Sequence, residues 1–326
     1  MDPIAWLLES DAAVRWQAMR DLTDASPTEI AAERARVSRE GLGSEILACQ
    51  ASDGAWRHDG APVWLTTLFT FLLLRSTAVD PADQRVQSAV ARLEKNLRWS
   101  DYDGCWELRP AERGGNPYFE GEVEPCINGG VLALGAYFGR RSDRLARRLL
   151  GEQLEDGGWN CEAPKSVRSS FHTTICVLEG LLEYERAVGR RPDIAAARRR
   201  AEEYLLERNL FCRLSTGEVA DPAFLQFAFP PRYRYDVLRA LDYFRNANTH
   251  ASGGPNQPPL DPRLNEALQI VERRRQPDGR WLLDDTHNEA LAFTFIESVG
   301  EPSRWNTLRA LRILRRSGQR TTAPPA

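Results

Sequence analysis

The sequence predicts an all-α fold, an α/α toroid of about six inner and five to six outer helices around a central cavity. Three features predict it: a recurring Asp-Gly-x-Trp turn, a charged amphipathic segment before each turn, and a more apolar segment after it. The turns are DGAW at Asp53 to Trp56, DGCW at Asp103 to Trp106, DGGW at Asp156 to Trp159 and DGRW at Asp278 to Trp281. The first two intervals are 50 and 53 residues, and the last is 122, which leaves room for a degenerate copy near Arg213 to Val219. A period of this size marks a repeat architecture, and hairpins that cannot bury their apolar faces alone do so by closing into a ring.

Each element of the repeat has a local cause. Asp-Gly makes a tight turn because glycine reaches backbone angles closed to other residues, and the tryptophan supplies a large rigid surface to pack between helices. Asp143 to Leu154 (DRLARRLLGEQL) is the outer type of helix and Cys126 to Phe138 (CINGGVLALGAYF) the inner type. Arg15 to Leu22, Arg234 to Leu241 and Arg304 to Leu311 share nearly one pattern. Counting six residues back from a leucine aligns Trp16, Cys126, His172, Tyr235 and Trp305 near the starts of inner helices. Trp64 is placed with them although Thr70 stands where its leucine should be. One domain over 1–316 is expected, followed by a disordered tail over 317–326. Asn246 to Pro262 reads as an extended loop, and short strands are allowed near Phe293 to Ile296.

Composition excludes several classes. The chain has 326 residues, 42% of them apolar, and a net charge of -3. Its basic residues are interleaved with acids along helix faces, so nucleic acid is not an expected partner. The longest apolar stretch, Leu65 to Leu74, is too short to cross a bilayer. With no basic segment and cleavage site at the start, a cytoplasmic location is expected. Six scattered cysteines without a Cys-x-x-Cys pair are read as thiols or metal ligands in preference to disulfides.

The repeats carry a resemblance. Gln50 with Gly54 and Trp56, Gln153 with Gly157 and Trp159, and Gln276 with Gly279 and Trp281 resemble the Gln...Gly-x-Trp repeats of the α/α-toroid proteins. These include squalene and other class II terpene cyclases and the β subunits of protein prenyltransferases. The β subunits hold zinc through an Asp-x-Cys pair opening one inner helix and a histidine opening a later one. Glu124-x-Cys126 and His172, in FHTTICVLEGL, are similar to that arrangement. The resemblance thus implies a zinc site of Glu124, Cys126 and His172. Cys161 or Cys176, the latter one helical turn from His172, can stand in for Glu124 or supply a fourth ligand. Glu120 and Glu122 stand where the β subunits have basic residues for a diphosphate, and the cyclase Asp-x-Asp-Asp acid has no counterpart at Asp284 and Asp285. The prenyltransferases also need a partner subunit, on which this sequence is silent.

Two further groups complete the expected site. Trp16, Trp64, Tyr118, Tyr235 and Trp305 can line an apolar cavity or simply pack between repeats. Arg234 and Arg304, with Arg15, Arg20, Arg239 and Arg309 at matching offsets, can clamp a phosphate or carboxylate, or pair with neighbouring acids. The expected function is a terpene cyclase- or prenyltransferase-like enzyme acting on an apolar, isoprenoid-like small molecule that can carry a diphosphate. One alternative is metal-free class II cyclisation with Asp236 or Asp285 as the acid. Another is a non-catalytic toroid that binds a lipid or a partner protein.

Overall fold

The computed structural model describes residues 2–100, 107–252, 259–287, 291–293 and 297–317. It is predominantly helical, as expected. In chain order the helices are α1 (Pro3–Leu8), α2 (Ala12–Leu22), α3 (Pro27–Arg34), α4 (Gly41–Ala48), α5 (Val63–Ser76), α6 (Gln84–Asn96), α7 (Pro125–Tyr137), α8 (Asp143–Gly151), α9 (Phe171–Val188), α10 (Pro192–Leu206), α11 (Val237–Ser252), α12 (Asn265–Arg273) and α13 (Arg304–Arg316). One small antiparallel sheet, β1 (Leu97–Trp99) flanked by β2 (Leu108–Pro110) and β3 (Asn116–Pro117), follows α6. The expected short strands near Phe293 to Ile296 fall mostly outside the described residues, as do the DGCW turn and nearly all of the tail.

Helix starts follow ordinary capping chemistry. Asp2, Asp11 and Asp83 accept a first-turn backbone N–H at α1, α2 and α6, and Ser26 with Glu29 forms a reciprocal box at α3. The segment from Asn246 behaves differently from its composition: α11 continues to Ser252 instead of giving way to a loop at Asn246. Tyr243, Phe244 and Ala247 are buried on this helix, and tertiary burial outweighs the weak helix preference of Asn and Thr.

The chain divides into two compact units. One comprises 37–204 and 288–295. In it α5, α7 and α9 pack side by side, with α8 against α7 and α9. The α7–α9 contact is close enough to need glycine on both helices. A Cβ on Gly129 would lie 2.4 Å from the Cys176 carbonyl oxygen, and one on Gly180 would lie 2.4 Å from that of Gly129. The other unit comprises 1–36, 205–287 and 296–326. Here α13 lies between α11 and α2, and α12 packs on both α11 and α13. The first and last helices of the chain are thereby joined, and Arg312 on α13 reaches both Asp242 on α11 and Asp21 on α2.

The repeat turns share one clamp. The indole N–H groups of Trp56, Trp159 and Trp281 each donate to a carbonyl ten residues upstream (Ile46, Leu149, Val271) at 2.7 Å. Their backbone N–H groups donate to Thr67, Thr174 and Thr307 hydroxyls on the following inner helix at 3.0–3.1 Å. The three indoles are fully buried, so each clamp satisfies groups that have no access to water. The Gln50 and Gln153 amides tie their own turns to a neighbouring helix, at the Ala89 and Ala197 carbonyls. The degenerate copy is a tight hairpin in which Arg213 donates to the Glu218 carbonyl, and it carries no tryptophan.

The clamp also sets the register between repeats. His172 and Trp305 stand two residues before their clamp threonines, whereas Trp64 stands three before Thr67. Leu65, not Trp64, is therefore level with them, and the position six residues on is the buried Phe71 in place of a leucine.

Candidate metal centre

Glu124 immediately precedes α7, Cys126 lies in its first turn, and Cys161 follows the DGGW turn by two residues. One ligand atom from each of these three lies within 4.8 Å of the other two. The Cys126 and Cys161 sulfurs are 2.9 Å apart, and Cys126 Sγ is 3.5 Å from Glu124 Oε2. Two local devices build the group. The glycine contact draws α7 against α9, so Cys161 touches Cys126 on one side and the Thr173 hydroxyl of α9, at 3.3 Å, on the other. The chain before α7 is held by the Glu122 carboxylate, which accepts the Glu124 N–H at 2.6 Å and that of Val123. Asn128 reads the Glu122 backbone in both directions, accepting its N–H at 2.8 Å and donating to its carbonyl at 3.0 Å.

The electrostatics single out one thiol. Its hydrogen bond with Cys126 holds the Cys161 thiol below the usual range. The same contact, with burial and the nearby acidic groups, pushes Cys126 up. Two sulfurs in contact favour a cation, because a divalent ion binds both as thiolates and takes the place of their protons. Burial raises Glu122 to about 7, against the two backbone N–H groups and Arg148, which favour its charged form.

The donor set fits zinc. Two soft thiols and a carboxylate are ordinary zinc ligands, and tetrahedral zinc places its ligand atoms about 3.3–3.8 Å apart. The 3.5 Å sulfur–oxygen contact already has that spacing, and the sulfurs need only part by a fraction of an ångström. All three residues are half-buried, which leaves them reachable from solvent. His172 opens α9 beside Thr173 but is not one of the three convergent residues. Cys176 is buried one turn further along α9. The signal for Cys161 lay in the repeat itself, since a thiol follows the clamp tryptophan by two residues in this copy alone among the three described turns.

The other expected residues divide between packing and ion pairing. Trp16, Tyr118, Tyr235 and Trp305 are buried and Trp64 is half-buried. Trp305 stacks on Phe229 with ring centres 4.4 Å apart, Tyr118 stacks on Trp99 at 5.4 Å, and the Tyr235 hydroxyl donates to the Leu210 carbonyl at 2.6 Å. The Trp16 ring carries the Arg20 and Arg34 guanidiniums on its faces. Arg304 lies over the Trp6 ring and donates to the Trp6 carbonyl, while Arg234 is exposed beside Tyr233. Asp236 is buried, accepts the Arg239 N–H at 2.7 Å and faces Arg309 at 3.9 Å. Burial raises its pKa against the pull of both arginines. Asp285 holds His287 Nδ1 at 2.8 Å.

No protein family matches the sequence, and no curated protein does. Among solved structures, the chain is similar to a protein from Actinoplanes (16% identity over 94% of this chain and 89% of that one, TM-score 0.48). It is also similar to the type II terpene cyclase MstE from Scytonema (16% identity over 96% of this chain and 95% of that one, TM-score 0.48). No helix among the described residues is long and apolar enough to cross a membrane.

Proposed function

We propose that this chain is a zinc-dependent enzyme of the terpene cyclase and prenyltransferase type, acting on an apolar, isoprenoid-like small molecule enclosed by its helical repeats. The observation that carries the reading is the convergence of Glu124, Cys126 and Cys161 from two different repeats. His172, one residue from the Thr173 that touches Cys161, is the fourth donor in this reading. Bound zinc would activate a thiol or water, or polarise a substrate oxygen. The chain's own part is to hold the ligands in place: Glu122 and Asn128 fix the approach to α7, and the glycine contact fixes α7 against α9. Glu120 and Glu122 disfavour a diphosphate directly beside Cys126.

Elemental analysis of protein never exposed to chelator tests the centre. About one zinc per chain is expected, lost in Cys126→Ser and Cys161→Ser with helical content kept. Metal-free wild type refutes the reading, and retention of zinc by His172→Ala removes that residue from it. A second reading rests on Asp236, a buried carboxyl that its surroundings push toward the neutral acid a class II cyclisation needs. Incubation with prenyl diphosphates and linear terpenes separates the two. Turnover abolished by chelator supports zinc, whereas turnover that survives chelator and is lost in Asp236→Asn supports the acid.

A further inference from the structure

We propose that Cys126 and Cys161 are also a site of reversible oxidation, joined as a disulfide by hydrogen peroxide, with metal and disulfide mutually exclusive states of the pair. The two sulfurs are 2.9 Å apart, free, and carried by half-buried residues. They therefore sit close enough for bond formation with a sub-ångström approach, and a small oxidant can reach them. Of the other described cysteines, Cys49 is exposed just after α4, Cys212 belongs to the short hairpin, and Cys176 is buried within α9. The step balances with peroxide as the two-electron oxidant. One sulfur attacks the O–O bond, becomes a sulfenic acid and releases one water. The second sulfur then displaces the hydroxyl as another water, the S–S bond forms, and the two thiol protons end in the waters. Cys161 lies in an exposed loop, with Glu162 to Lys165 all exposed, so it can shift toward Cys126 without disturbing the α7–α9 packing.

The exclusivity rests on the zinc reading above, because a metal would occupy both thiolates, but the dithiol itself does not. The test uses the full-length wild type, reduced, freed of reductant, exposed to hydrogen peroxide, alkylated and digested with trypsin. Cys126 falls in the peptide from Gly114 to Arg140 and Cys161 in that from Leu149 to Lys165, each as the single cysteine. The expected product is these two peptides cross-linked and two hydrogens lighter than their sum, reversed by dithiothreitol, with Cys49 and Cys212 still alkylated. Recovery of both peptides alkylated as in untreated protein overturns the proposal, as does separate conversion to sulfinic or sulfonic acid without a cross-link. Zinc is read on the same samples. Cross-linking of a metal-free protein supports the dithiol while the zinc reading fails, and cross-linking without metal loss from zinc-loaded protein overturns the exclusivity.

Discussion

Replacing Asp242 by asparagine removes the charge at the centre of the ion network that ties α11, α13 and α2 together. Asp242 accepts from Arg312 Nε at 3.0 Å and through a shorter contact from the other guanidinium arm, and Arg245 Nε lies 3.1 Å away. The three side chains are only 10–16% exposed. Burial alone would raise the Asp242 pKa, but Arg312, Arg245 and Arg309 outweigh it and hold the carboxyl far below the usual range. Asparagine keeps the shape and some hydrogen bonding but leaves those guanidiniums short of counter-charge. Breaking a buried pair costs about 3–5 kcal/mol, and the low end applies because Arg312 keeps Asp21 at 3.8 Å and Gln17. With an unfolding entropy of about 0.7 kcal/mol/K for a single transition of a chain this long, the melting temperature should fall by roughly 4–5 °C at pH 7. The sign of the pH dependence follows from the depressed pKa. The stability is fully present above the unfolded value of about 4 and is lost as pH falls through the folded value, so wild type and variant should converge on acidification. Calorimetric melts of both proteins between pH 7 and pH 3 measure this. A difference below about 1 °C at pH 7, or a gap that widens in acid, refutes the reasoning.

The repeat clamp makes a second prediction: Thr174→Val strands the buried Trp159 N–H and should cost about 1–3 kcal/mol by urea titration, with a similar loss for Thr307→Val at Trp281. Gly157 has φ +97° and its Cβ would lie 2.5 Å from the Arg200 carbonyl oxygen, so Gly157→Ala should destabilise by about 2 kcal/mol or more, read as a lower denaturation midpoint at unchanged slope. Glu124→Gln, which keeps the oxygen but weakens it as a ligand, should lower zinc affinity by about tenfold or more in a chelator competition while leaving the helical signal unchanged. Stripping the metal should lower the melting temperature of the wild type and leave that of Cys126→Ser where it is, since a ligand stabilises only the protein that binds it.

The turns, the helices and their alternation were legible in the sequence because they depend on local chemistry: Asp-Gly turns, capping side chains and the helical period of apolar residues. The pairing of Arg20 with the adjacent Asp21 needs only neighbouring positions on one helix, whereas Arg309 meets Asp236, at the start of a different helix of the chain, only once the fold has formed. Tertiary structure alone decided which thiols meet. The distance along the chain from the clamp tryptophan to its threonine is 11, 15 or 26 residues in the three described repeats. Counting along the sequence therefore misplaces Trp64 by one residue and cannot foresee that Cys161, held between Cys126 and Thr173, enters the cluster ahead of His172. The close approach of α7 to α9 depends on Gly129 and Gly180, more than fifty residues apart in the chain, each filling a space only the other helix defines. Side-chain periodicity reports which face a helix buries, but the partner against that face, and hence which donors converge on one point, is set by contacts that exist only once the chain has folded.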